Sequence, residues 1–284
     1  MRSLPVYILV LALAGPAGAE PLDEPPPPPP AAAADGPSTG ERVVLPAKRL
    51  YGQAMLEIEL SDGSAFKPVS IAPDVYYGVT PDLTVGLVHS FTGTTGIIGG
   101  TGSSLCLGDS CDVYHNFGLD GRYQVTTGKV GVAAAFGLYA TSLDPLKLAL
   151  KLGAVGRFRP SPTSKLAVDF APSLFIGLTE REPDTVGMMG MMVSTGNKEV
   201  FALPVTALYV VKPKVTALVQ TGLVVPFEAA GDLFYVPLSI GASYEVNQQI
   251  SVQGAFSLQR LIGGDANPTG FDARSFTIGG GYAF

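Results

Sequence analysis

The chain has 284 residues, 46% of them hydrophobic and 15% charged, with 35 glycines and a formal net charge of −6. The acidic balance argues against nucleic acid as a partner. Beyond the N-terminal region no run of about eighteen apolar residues occurs, which excludes a transmembrane helix and leaves alternation as the way to accommodate so apolar a chain.

The N-terminus reads as a secretory signal over 1–19. Arg2 supplies the positive charge, Val6 to Ala14 an apolar stretch too short to span a bilayer, and Ala17-Gly18-Ala19 a small-x-small cleavage site before Glu20. Residues 20–47 follow with the proline run Pro25 to Pro30 and the alanine run Ala31 to Ala34. Such a stretch builds no core and favours an extended polyproline form, so it is expected to be a Pro/Ala-rich disordered spacer. The rival reading has the prolines dock a partner or the cell wall.

From residue 48 onward the sequence alternates with a period of two, the signature of strands. The first predicted strand, 50–60, sets Leu56, Ile58 and Leu60 against Met55, Glu57 and Glu59. The second, 66–79, opposes Val69, Ile71, Val75, Tyr77 and Val79 to Ser70, Ala72, Asp74, Tyr76 and Gly78. Thr80-Pro81-Asp82 turns the chain into the third, 83–91. A Gly/Ser/Thr loop at 92–112 holds Cys106 and Cys111. In an exported protein these predict an intraloop disulfide of modest, local effect. A two-cysteine metal site is the rival, and no His or carboxylate cluster completes it.

The fourth strand, 113–125, puts Phe117, Leu119, Tyr123 and Val125 on one face and Asn116, Gly118, Asp120, Arg122 and Gln124 on the other. The fifth, 130–141, opposes Val132, Ala134, Phe136 and Leu138 to glycines, alanines and Tyr139. The sixth, 146–159, alternates leucines with Lys147, Lys151, Arg157 and Arg159, and the seventh, 166–179, carries Asp169 on its polar face. A second loop at 180–198 contains Gly187-Met188-Met189-Gly190-Met191-Met192. Thioethers bind Cu(I), but methionine also fills irregular apolar gaps, and no metal or cofactor is expected. The eighth to eleventh strands fall at 200–211, 215–227, 233–246 and 250–262, with Glu245 on the polar face of the tenth. A loop at 263–272 leads to the last strand.

That last strand, 273–284, places Phe276, Ile278, Gly280, Tyr282 and Phe284 on one face and Ser275, Thr277, Gly279, Gly281 and Ala283 on the other. It resembles the terminal strand of bacterial outer-membrane β-barrels, which ends in an aromatic read by the barrel-assembly machinery. The resemblance extends over 48–284 through the alternation and through loop asymmetry, with short turns after the even strands. It implies a porin-like, all-β, transmembrane antiparallel up-and-down β-barrel of about 12 strands in the bacterial outer membrane, with both termini and the 20–47 spacer in the periplasm. Tyr282 and Phe284 would be the assembly signal. A soluble β-sandwich or lipocalin-like barrel would pack large side chains inward, whereas the polar face here is rich in Gly, Ala, Ser and Thr.

In such a barrel Glu57, Glu59, Asp74, Asp120, Arg122, Lys147, Lys151, Arg157, Arg159, Asp169 and Glu245 line the lumen. The basic ladder of the sixth strand, facing acids on the first and second, would create a transverse field in a narrow porin-like channel for passive diffusion of small polar or anionic solutes. The rival is a closed, salt-bridged structural or adhesive barrel whose loops bind partners. An outer-membrane lipid hydrolase is disfavoured: His89 and His115 are expected outward near loop ends, with Ser90 pointing the other way. The chain is therefore not expected to be an enzyme. Expected partners are outer-membrane lipid, the barrel-assembly machinery and small solutes, with no nucleic acid and with a homo-oligomer allowed.

Overall fold

The computed structural model describes residues 41–61, 69–89, 105–107, 114, 116–182, 185–188, 191–194, 196–228, 230–264 and 270–284. The signal and the proline run lie outside them, as do Cys111, His115, Met189 and the side chains of Cys106, Met188, Met191 and Met192. The expected disulfide and the methionine loop's chemistry therefore fall outside the described residues.

Twelve antiparallel strands form the described barrel. They are β1 (Leu50–Glu59), β2 (Val69–Thr80), β3 (Leu83–Val88), β4 (Phe117–Thr126), β5 (Val130–Leu143), β6 (Leu146–Phe158), β7 (Leu166–Phe170 continued by Ser173–Gly177), β8 (Val200–Lys212), β9 (Val215–Pro226), β10 (Tyr235–Glu245), β11 (Ile250–Gly263) and β12 (Arg274–Ala283). Each pairs with its chain neighbour, and β1 also pairs with β12 from Tyr51↔Ala283 to Glu59↔Ser275, closing the ring. Closure leaves no open sheet edge, which is what a strand structure in hydrocarbon requires, because each unpaired backbone group there costs several kcal/mol. The C-terminus is drawn into the seam as well, Phe284 N donating to Leu50 O at 2.8 Å.

The seventh strand departs from expectation. It was expected to run unbroken, but Ala171-Pro172 interrupts it because Pro172 has no N–H to give. The register holds across the break: Pro172 O accepts from Ala154 N at 2.9 Å and Ala171 N donates to Pro204 O at 3.1 Å. The 180–198 loop contains a small hairpin, Thr185–Met188 paired with Met191–Ser194.

Alternation sorts the side chains as the pleat demands. The outer wall exposes Val85, Leu119, Phe136, Leu138, Val219, Ile240 and Ile278, and Ile240 is 58% exposed at the middle of β10. Large apolar residues in such a continuous belt form a lipid-facing surface. Its lower border is aromatic. Tyr77, Tyr123, Phe158, Tyr209 and Tyr244 are exposed beside the short turns that follow the even strands, and Tyr282 is exposed beside the C-terminus. Such a girdle marks a membrane interface, and the short turns at this rim are the feature that outer-membrane barrels place on the periplasmic side.

The described residues begin at Glu41, ahead of the first strand. Residues 41–49 run along the inner wall at the periplasmic rim. Val43 N donates to Gln124 Oε1 at 3.0 Å on β4, Leu45 N to Thr84 Oγ1 at 2.8 Å on β3, and Lys48 N to Gly78 O at 2.7 Å on β2.

Candidate functional site

The inward faces enclose a cavity of ≈ 650 Å³ with two unlike sides. The side built from β4 to β7 is charged. Asp120, Arg122, Lys151, Arg157 and Asp169 border the cavity there. The side built from β8 to β12 is neutral, contributing Thr206, Gln220, Ser243, Gln253 and Thr277.

A glycine makes the charged cluster possible. Asp120 on β4 and Lys151 on β6 are not on adjacent strands, but both register with Gly137 of β5, which lies between them. Gly137 carries no side chain to fill that gap, and a Cβ there would stand 2.6 Å from Leu119 O. Lys151 Nζ therefore reaches Asp120 Oδ1 at 2.9 Å. Arg122 Nε donates to Asp120 Oδ2 at 3.0 Å, and Tyr139 OH donates to Asp120 Oδ1 at 2.7 Å. Lys151 Nζ also donates to Tyr139 OH at 3.3 Å. Tyr139 finds its place over another bare position, Gly118, where a Cβ would meet its ring at 2.2 Å. The Arg122 guanidinium sits 5.0 Å from the Tyr76 ring centroid, a cation–π contact. Two cations thus share one carboxylate that is almost wholly buried.

The expected lumenal charges are therefore distributed unevenly. Arg157 and Asp169 are register partners on β6 and β7 and form a two-point ion pair at 2.6 and 2.7 Å. Arg159 lies below the cavity and pairs with Glu41 at 2.5 Å. Asp74 is buried on β2, accepting from Gln53 Nε2 at 2.9 Å and from His89 N at 2.6 Å. Glu57 and Glu59 point inward near the extracellular end, where Gln259 Nε2 donates to both, at 2.9 and 3.3 Å. Lys147 sits at the extracellular end of β6. Glu245 is on the expected face but is the last residue of β10, exposed at the periplasmic rim away from the cavity. The transverse field is corrected in one respect. The ladder on β6 finds its acids on the adjacent β7, on β4 across the bare Gly137, and at Glu41, each within hydrogen-bond reach.

His89 also differs from expectation. It was expected outward, but β3 ends at Val88 and the backbone then turns, burying His89 to 6% exposure. Its Nδ1 meets Pro73 O, and its Nε2 meets Tyr114 OH at 3.0 Å. Above the charged cluster Val88, Tyr139, Phe175, Ala202 and Val224 pack together, with the Tyr139 and Phe175 rings 5.6 Å apart edge to face. At the extracellular rim Arg181 bonds Glu199 at 2.7 Å, and that hydrogen bond holds the Glu199 carboxyl below the usual carboxylate range. Among the described residues no group of three or more His, Cys, Asp or Glu is placed to hold a metal ion.

Sequence reasoning missed the 41–49 segment, Tyr139, Phe175 and the aromatic girdle. The girdle was signalled by an aromatic shortly before each short turn. Tyr139 was signalled by its place as the one large residue on the small inner face of β5.

No protein-family model matches the sequence, and no curated relative matches it. Solved structures match its fold. The NanC porin superposes with a TM-score of 0.56 at 10% identity, covering 81% of this chain and 98% of that one. The KdgM porin gives 0.53 at 8% identity over 82% and 99%. An outer-membrane channel from Pseudomonas putida F1 gives 0.53 at 12% identity over 85% and 97%. At such identities the likeness concerns the fold, which is that of a porin-like bacterial outer-membrane β-barrel.

Proposed function

We propose that the protein is a narrow porin-like channel through which small polar or anionic solutes diffuse passively across the bacterial outer membrane. The observation that carries this reading is the lumenal cavity of ≈ 650 Å³ with a charged side and a neutral side. Arg122 and Lys151 share the single carboxylate of Asp120, so the cluster leans positive, while Gln220, Gln253, Ser243 and Thr206 opposite offer hydrogen bonds to hydroxyl-rich solutes. The neighbours support the channel reading, since NanC and KdgM are porins and the third is an outer-membrane channel, and KdgM is also known in complex with disordered oligogalacturonate. The engagement of the His89 ring with Pro73 O and Tyr114 favours a structural histidine over a hydrolytic one.

The reading is tested by proteoliposome swelling in salts of glucuronate and glucosamine, two solutes of similar size and opposite charge. Faster entry of glucuronate is expected. Faster entry of glucosamine would overturn the anionic preference, and no entry of either would overturn the channel.

A further inference from the structure

Resting on the channel reading, we infer that residues 41–49 form a withdrawable strap that sets the bore at the periplasmic mouth. Arg42, Val43, Val44 and Leu45 border the lumenal cavity, so the strap occupies space that solutes would otherwise use. Its place is built into the wall. Gly78 on β2 and Gly131 on β5 are inward positions near the strap's two ends. A Cβ at Gly78 would lie 2.0 Å from Pro46 O, and one at Gly131 would lie 2.0 Å from Glu41 O. These two bare sites form a footprint that the strap alone fills. The strap's carbonyls touch the sheet there as no other residue type would permit.

The attachment is uneven: next to β1 the strap is tied to β2 by Lys48 N to Gly78 O at 2.7 Å and Gly78 N to Arg49 O at 2.9 Å. Along its outer half the backbone is held by Glu41 N to Gly128 O at 2.9 Å and by bonds from Val43 N and Leu45 N to side chains, in place of a strand ladder. Val44 is buried, which seats the segment. Two clasps at the rim complete it. Arg42 bonds Asp82 at 2.5 Å and Pro81 O at 2.6 Å in the β2–β3 turn, and Glu41 pairs with Arg159 at 2.5 Å beyond β6. The Arg42 and Asp82 side chains are exposed, so salt screens that clasp, and ion pairs of this kind contribute little. A segment whose outer half is held by side-chain bonds and rim clasps in place of a ladder belongs to the low-stability end of a fold and opens before the barrel does. Hinged at β1, it leaves the lumen by swinging toward the periplasm, as an order-to-disorder gate does.

The test turns on a difference of sign. In Gly78→Val with Gly131→Val the new methyl groups point into the lumen. If the strap is a movable constriction they unseat it, and single-channel conductance of the full chain rises roughly twofold. If the strap is irrelevant to the bore, the same methyls narrow the lumen and conductance stays level or falls, which overturns the proposal. Arg42→Ala with Arg159→Ala leaves the wall unchanged and serves where the first variant does not fold, as judged by heat-modifiable gel mobility. It is expected to raise the frequency of wide openings, and an unchanged record overturns the proposal. Tryptic cleavage after Lys48 in the folded barrel, at a site both variants keep, reads the strap independently of conduction and is expected to accelerate roughly tenfold in both variants. A folded barrel silent in wild type and in both variants overturns the channel and the gate together. Wild-type steps that the variants leave unaltered overturn the gate alone.

Discussion

Ile240→Arg is expected to cost about 2–4 kcal/mol of folding stability in a lipid bilayer, the penalty for arginine near the midplane of a transmembrane barrel. Ile240 is 58% exposed, and its register partners Val219 and Phe256 are exposed beside it, so the new charge would meet only apolar surface and lipid tails. Urea-driven unfolding in vesicles, followed by tryptic protection or gel mobility, reads the difference. Val246→Arg, just beyond the end of the same strand at the periplasmic rim, is the control and should cost about 0–1 kcal/mol. A water-soluble barrel would respond differently, because an exposed Ile→Arg change there shifts stability by about 0.5 kcal/mol at most. Equal, small effects at both positions would contradict a lipid-facing wall.

The second large effect concerns the lumen. Asp120→Asn keeps the side chain's shape and removes its charge, leaving Arg122 and Lys151 without their shared carboxylate. Two outcomes are expected together. Stability falls by about 1.5–3 kcal/mol, the scale of hydrogen bonds to charged groups, since Tyr139, Lys151 and Arg122 all lose strength at once. Anion preference rises several-fold, measured as the reversal potential in a salt gradient. Lys151→Gln should move that potential the other way with a smaller loss of stability, because Asp120 keeps Arg122 and Tyr139. Identical potentials in wild type and both variants would mean that the cluster does not sense the permeating ion.

Most of the barrel could be read from residue types because its physics is local. Alternation along β2, β4, β5 and β12 follows from the pleat, and closure follows from the need to satisfy edge groups in lipid. Phe284 and Tyr282 do lie on the outer face, their rings 4.3 Å apart at the seam. The lumenal pairings were not legible for the opposite reason. Glu41 and Arg159 are separated by 118 positions, and only the closed ring brings them together. Asp120 and Lys151 meet because Gly137 between them is bare, a fact about registers that no single strand displays. Alternation also fails where a strand stops. It gave Glu245 the correct face but no depth, and it assigned His89 a direction one residue beyond the end of β3. The 41–49 segment has no period and follows a proline-rich stretch, so composition assigned its residues up to 47 to the spacer. Its trace in the sequence is indirect, in the inward glycines at 78 and 131.

The central claim is that this barrel conducts. Single-channel recording of the purified, refolded protein in a planar bilayer, with ion selectivity, tests it most directly. The account predicts stable unitary steps with a reversal potential that favours anions and shifts toward cations when Lys147 and Lys151 are reversed to glutamate. A barrel shown to be folded by heat-modifiable mobility, yet giving no steps at any voltage, would contradict it and point to a closed structural or adhesive barrel.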